Sequence, residues 1–300
     1  MTRLRRLLRR LPGRLRREPA APAAKVRKPN PHKAFKKNQI AKAVHEPFGP
    51  AFGHDLEARF LHGYLSPGDV VIDVGANAGQ YAAVIEDAVG RESLTLLEPL
   101  PDLAATLRQR FPGVRVENLA ASDVAGAATI RIPSIEGREY NTRATLNDHT
   151  EPGQGGSREV AIVTEPLDSV VERLGLGRID LVKVDVEGHE PEVVRGARRT
   201  LSAPDVLLLM EIEARHHDFP ITEVFGLITA LGLRGYVFDT SSLTVMSIDD
   251  FAVEKHQHVE DLVNRAFVKY LNNFWFVAPA REREFLEAAE AFLADLRTSR

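Results

Sequence analysis

The sequence contains no cysteine. Disulfides, thiolate metal sites and cysteine nucleophiles are therefore excluded together. It has no apolar run near the roughly 18 residues that a membrane span requires. The densest run, Val206-Leu207-Leu208-Leu209-Met210, is the size of a strand. No secretory signal is visible, because the arginine-rich start gives way to Pro and Ala rather than to an apolar core. These absences make the cytoplasm the expected compartment. Two nucleotide signatures are missing as well. No Gly-Lys-Ser/Thr follows any glycine turn, which excludes a phosphate loop, and no Asn-Pro-Pro-aromatic base-flipping motif occurs.

What is present suffices for a full core: 44% of the 300 residues are apolar and 27% charged. The net charge of −3 hides an uneven distribution. Residues 1–45 hold fifteen Lys or Arg against the single acid Glu18, whereas the rest of the chain holds 24 basic against 41 acidic residues. Leu4, Leu7, Leu8, Leu11 and Leu15 recur at spacings of three and four among the arginines, interrupted by Pro12-Gly13. Such a stretch suits peripheral contact of residues 1–17 with an anionic membrane, or else it is a basic leader without a fixed partner. Five prolines between 19 and 47 mark a linker. The expected division is a leader and linker over 1–47 and one domain over 48–300.

Within that domain, strand and helix patterns alternate. Strands are expected at 69–74, 93–97, 114–118, 180–186 and 206–212, with helices at 80–89, 101–111, 167–174 and around 191–201. A less regular stretch from 127 to 166 holds β-like runs at 129–132 and 160–163 and a Gly-rich loop at 153–156. Strands at 234–239 and 273–277 and a helix at 280–296 end the chain. Alternation of this length indicates parallel crossovers, hence an α/β fold with a Rossmann-like, doubly wound, mostly parallel sheet and an antiparallel C-terminal strand.

The most informative stretch is Val70-Val71-Ile72-Asp73-Val74-Gly75-Ala76-Asn77-Ala78-Gly79-Gln80, an apolar strand that runs through a glycine turn into a helix. Ligands of open α/β sheets bind at the carboxyl ends of such strands. The two glycines are expected to leave room for the ligand, although a tight strand-to-helix turn alone would also use them. Glu98 stands 23 residues past Gly75 at the next strand tip, where a carboxylate can accept both hydroxyls of a ribose. A dinucleotide fingerprint needs three glycines, but the positions are Gly75, Asn77 and Gln80. An NAD-dependent oxidoreductase is thus the weaker alternative, and a non-catalytic binding protein on the same fold is another. S-adenosylmethionine fits better, since its ammonium suits Asp73 and no phosphate needs a helix N-terminus.

A second motif, Lys183-Val184-Asp185-Val186-Glu187-Gly188-His189-Glu190, ends a later strand, and Glu211, Glu213 and His216-His217 follow the next one. Alternation puts Lys183, Asp185 and Glu187 on one side. Asp185, Glu187, His189 and Glu211 are the candidate acid-base and positioning groups. Asp185, Glu187 and Glu211 offer oxygens for a divalent metal, which Lys183 on the same face disfavours. His216 and His217 are read as surface residues, and Trp275 and Phe276 as core.

Together these motifs resemble the FkbM family of S-adenosylmethionine-dependent methyltransferases. The resemblance rests on Ile72 to Gly79, Glu98-Pro99, Ala120-Ala121-Ser122-Asp123 with Gly126, Pro166-Leu167-Asp168, Lys183 to Glu190, Gly196-Ala197 and Glu211. It covers about 68–213 closely and 214–278 loosely, and leaves the leader outside. It implies a class I methyltransferase fold and O-methylation of a small-molecule or glycan hydroxyl, with no nucleic-acid partner. Asp73, Gly75, Ala76, Asn77, Gly79 and Tyr81 are then expected at the methionine end of the cofactor. Glu98 and Pro99 fall at the ribose, Ser122 and Asp123 at the adenine, and Asp185 beside the transferred methyl group. For Asp123 a plain turn-forming role competes with adenine contact.

Overall fold

The computed structural model describes residues 55–147, 153–258 and 270–298. The leader, its linker and residues 48–54 lie outside the described residues. The first helix, α1 (Leu56–Tyr64), was not anticipated. Asp55 caps it by accepting from the Ala58 N–H at 2.8 Å. Then come β1 (Val71–Val74), α2 (Gln80–Val89), β2 (Leu94–Leu97), α3 (Pro101–Arg110), β3 (Arg115–Glu117) and the short β4 (Ala120–Ser122). A long hairpin of β5 (Gly126–Ile135) and β7 (Gln154–Pro166) carries β6 (Arg138–Glu139) near its tip, and α4 (Leu167–Arg173) returns to the main sheet. β8 (Leu181–Val184), α5 (Glu190–Gly196), α6 (Arg198–Leu201), β9 (Leu207–Glu211) and α7 (Thr222–Thr229) follow. The chain ends with β10 (Arg234–Asp239), β11 (Thr244–Ser247), α8 (Val253–His256), β12 (Asn273–Val277) and α9 (Pro279–Thr298).

Eight strands form the main sheet in the order β11-β10-β12-β9-β8-β1-β2-β3. Five of them, β3-β2-β1-β8-β9, are parallel, and β12 runs antiparallel between β9 and β10. The expected reversed C-terminal strand is β12, and the sheet continues beyond it into an antiparallel β10–β11 pair. Alternation sorts the strands onto two cores. Ile72, Val74, Val182, Val184, Leu208, Met210, Phe274 and Phe276 pack on one face, together with residues of α4–α7. Val71, Leu94, Leu96, Leu181, Leu207, Leu209, Trp275 and Val277 pack on the other, with residues of α1, α2, α3 and α9.

Two expectations of the middle region are corrected. The runs at 129–132 and 160–163 are fragments of the β5–β7 hairpin, and Gly155 and Gly156 lie within β7 instead of a loop. Most residues of both strands are exposed, so the sequence lacks the clean alternation of a half-buried strand. Their inner residues Ile130, Ile132 and Ile162 form a third cluster with Leu100 and Ala120. The single helix expected around 191–201 is broken at Ala197. At Gly196 a β-carbon would fall 1.9 Å from the Ser122 carbonyl, which shows how closely α5 approaches β4.

Candidate active site

The turn after β1 is tied to the end of β2. Gly75 and Ala76 both donate to the Leu97 carbonyl, and Asn77 follows in the left-handed region at φ 48°. Gly75 has φ 79°, and a β-carbon there would lie 1.8 Å from the Asp185 carbonyl oxygen. At Gly79, φ 83°, it would meet the Phe111 ring at 2.4 Å. These glycines therefore make room for neighbouring protein, which corrects the expectation that they make room for a ligand.

Glu98 is 3% exposed and accepts from the backbone N–H of Asn77 at 2.7 Å and of Leu100 at 2.9 Å. Burial pushes its carboxyl up to about 7, against the pull of those two donors. Four lone-pair directions on the carboxylate leave room for further donors.

A cavity of about 170 Å³ opens above this turn, at the carboxyl ends of β1, β2 and β8. Of the residues picked from the sequence, Gly75, Asn77, Glu98, Pro99, Asp185, Glu187 and His189 line it. Leu100, Leu119, Ala120 and Ala121 form an apolar wall, and Ile130, Ala144 and Leu146 reach it from the hairpin region. Asp73, Ala76, Gly79, Tyr81, Ser122, Asp123 and Glu211 are not part of the lining.

Behind the turn, Asp73 pairs in register with Lys183 on the α1–α2 side of the sheet. Its carboxylate is buried, without a hydrogen-bond partner among the described residues, and burial raises it to about 6 while the Lys183 charge opposes the rise. Lys183 is equally buried, yet the carboxylates of Asp185, Asp73 and Glu211 outweigh desolvation and hold its ammonium above its ordinary value. Its Nζ donates to Asp185 at 3.0 Å and lies 4.6 Å above the Tyr81 ring. Tyr81 in turn donates its hydroxyl to Asp55 at 3.1 Å.

After β8 the alternation expected for Lys183, Asp185 and Glu187 does not continue, because Glu187 turns into the left-handed region at φ 52° and Gly188 at φ 103°. Thr145 and Asn147 brace this turn by donating to the carbonyls of Glu187 (2.7 Å) and Gly188 (2.5 Å). His216 and His217, expected at the surface, are buried against it instead. His216 Nε2 lies 3.2 Å from Glu187, and His217 Nε2 lies 3.1 Å from Glu190. Desolvation of four polar side chains is tolerable here because each faces an opposite partner. Burial and the neighbouring Asp185 lift Glu187 well above the usual carboxylate range. Glu211 is lifted likewise, and it accepts from Asn272 at 2.6 Å. Glu213 is buried too, but its bond to Arg215 prevails and holds it down at about 2. Thr145, Asn147, Asn272 and Arg215 were missed; each lies two or more elements away in sequence from the group it contacts.

His189 Nε2 lies 3.0 Å from Ser122 Oγ. That contact joins a residue assigned to the adenine end with a candidate proton acceptor at the methyl end. Asp185, Glu187 and Glu211, weighed as metal ligands, are engaged by Lys183, His216 and Asn272, and no metal-binding group of three or more His, Asp or Glu occurs among the described residues.

The site fits a cationic nucleoside cofactor. The unpartnered Asp73 carboxylate and the acid excess suit an ammonium and a sulfonium, Glu98 suits a ribose diol, and the apolar wall suits a flat purine. No lysine or arginine lines the cavity among the described residues, so a pyrophosphate would lack a counter-charge. A doubly wound sheet with a reversed strand beside its last parallel member, carrying this cavity, defines a class I S-adenosylmethionine-dependent methyltransferase. Residues 73–238 match the Methyltransferase FkbM domain, and the chain belongs to that family. It is similar to the 31-O-demethyl-FK506 methyltransferase FkbM of Streptomyces tacrolimicus, 30% identical over 202 residues that cover 58% of this chain and 74% of that protein. The 2-O-methyltransferase NoeI of Sinorhizobium fredii is 27% identical over 146 residues, 45% of this chain and 60% of the relative. The AMB antimetabolite synthetase AmbE of Pseudomonas aeruginosa is 28% identical over 211 residues, 59% of this chain but 10% of that protein. The chain thus spans less than two thirds of two of these three relatives.

Proposed function

We propose that the protein transfers the methyl group of S-adenosylmethionine to a hydroxyl oxygen of a neutral saccharide or natural-product acceptor. The observation that carries this reading is the position of Asp185. It lines the cavity at the end of β8, is 31% exposed at its side chain, and is held by the buried Lys183. The cofactor supplies a methyl group activated on a sulfonium. Glu98 would hold its ribose and Asp73 would balance its positive charge, while the apolar wall takes the base.

Transfer is an in-line displacement in which an oxygen–carbon bond forms as the carbon–sulfur bond breaks. The chain must orient the acceptor hydroxyl and take its proton. Asp185 is the group for this task, since it is accessible, acceptor-only when ionised, and fixed in direction by Lys183 Nζ at 3.0 Å. Glu187 lines the same wall, but its carboxyl is pushed towards the neutral form and faces His216. Glu211 is not in the lining and is bonded to Asn272. The acidic wall disfavours carboxylated or phosphorylated acceptors and is indifferent to neutral hydroxyls. That choice agrees with the activities named for the FkbM and NoeI relatives.

The test is to supply purified protein with methyl-labelled cofactor and fractionated host extract, and to identify the labelled product. With the acceptor found, Asp185→Asn should lower turnover by about 10²-fold or more, the middle of the general-base range. Affinity for S-adenosylhomocysteine should stay within about threefold. Near-normal turnover of Asp185→Asn would make the strand-end acid structural, and label on nitrogen or carbon would refute transfer to oxygen.

A further inference from the structure

The imidazole of His189 lines the cavity and is 12% exposed, with a partner at each nitrogen. Nδ1 faces two acceptors, Asn147 Oδ1 and Glu192 Oε2, both at 3.5 Å. The amide orientation of Asn147 is fixed independently, because its Nδ2 donates to the Gly188 carbonyl at 2.5 Å. Nδ1 therefore carries the hydrogen, which leaves Nε2 as an acceptor in the neutral ring. Burial favours that neutral ring by lowering the imidazole below its ordinary value, against the pull of Glu192. Across 3.0 Å the Ser122 hydroxyl must then donate to Nε2, and this contact prevails over the 3.3 Å alternative to Asp123. With its hydrogen committed, Ser122 Oγ offers only lone pairs.

We infer that Glu192, Asn147, His189 and Ser122 form a polarity relay that fixes the Ser122 hydroxyl as an acceptor, and that this acceptor selects the 6-amino group of an adenine base. His189 is accordingly a specificity-determining residue at the purine end of the cavity and not the base for methyl transfer. Two features place the purine here. Ala120 and Ala121, which precede Ser122 in β4, belong to the apolar wall with Leu100 and Leu119. The hairpin-side residues Ile130 and Leu146 line that end as well. A 6-oxo purine in the same slot would set a carbonyl against an oxygen that cannot donate, and a buried acceptor left without a partner is expensive.

The inference rests on the cofactor reading proposed above, and the experiment separates the two. Calorimetry on the full chain with S-adenosylhomocysteine and S-inosylhomocysteine should show at least a tenfold preference for the adenosyl form. Ser122→Ala and His189→Phe should each bring the ratio to within threefold while still binding S-adenosylhomocysteine. Nitrogen-15 shifts of the imidazole in the wild-type chain should report a neutral Nδ1–H ring at pH 7, a readout that needs no variant. An unchanged ratio in Ser122→Ala, loss of discrimination in Asp123→Ala instead, or an Nε2–H ring would overturn the relay. Failure of the wild-type chain to bind S-adenosylhomocysteine at all would overturn the cofactor reading itself.

Discussion

Glu98 shows what burial does to a single carboxyl. Its value of about 7 exceeds the ordinary 4.5, so the folded chain holds a proton there that the unfolded chain has released. This contribution to stability is complete below about 4.5 and is lost as pH rises through about 7. Cofactor binding has the opposite sign, since ribose hydroxyls donate to the ionised form. Affinity for S-adenosylhomocysteine should fall as pH drops below about 7, approaching tenfold per unit, and binding there should release a proton. Calorimetry in buffers of different ionisation heat measures both effects. Glu98→Gln should abolish the limb near 7 and leave the smaller contribution of Asp73 near 6; an unaltered pH profile would place the ribose elsewhere. Glu98, Asp73 and Asp185 were legible because each ends an apolar strand beside a turn, a pattern local to about ten residues. The His189–Ser122 contact spans 67 residues and the His189–Asn147 contact spans 42, so no local pattern encodes them.

Elements explain which of the sequence signals were strong. The buried parallel strands read plainly because their residues are apolar on both faces, whereas the β5–β7 hairpin, exposed along most of its length, did not. Several boundaries moved for chemical reasons. Asp69 and Asp180 were expected inside strands, but their carboxylates accept the N–H groups of Ser66 and Val70, which sets β1 and β8 back. The turn between β1 and α2 gives a sharp comparison of glycines. Gly75→Ala must adopt φ 79° and also displace the Asp185 carbonyl from 1.8 Å. The first effect costs about 1–2 kcal/mol, and overpacking adds about 1–3 kcal/mol. Gly68 has φ 86° but nothing within 4 Å of its β-carbon position, so Gly68→Ala should lose only the first amount. Denaturant unfolding of the two variants checks the difference. Equal losses would mean that β1 and β8 can separate at this turn without penalty.

For the whole molecule, the charge division falls where the sequence reading placed the domain boundary. The expected outcome of deleting residues 1–45 is unchanged affinity for S-adenosylhomocysteine, because the cavity is built from residues 74–189. Any salt-sensitive sedimentation with anionic vesicles should disappear with that segment. Insolubility or lost binding would show that the leader belongs to the fold. No helix among the described residues is long and apolar enough to cross a membrane, so attachment of that kind would have to come from a surface contact. The cavity wall, with Glu98, Asp185 and Glu187 and no lysine or arginine among the described residues, also has a consequence for turnover. Methyl transfer removes the sulfonium charge and leaves a neutral thioether. The carboxylates that draw in the fresh cofactor thus hold the spent one less strongly, by the attraction of one full charge. Product inhibition should be correspondingly weak, and the enzyme can discharge and reload without a separate device to expel what it has used.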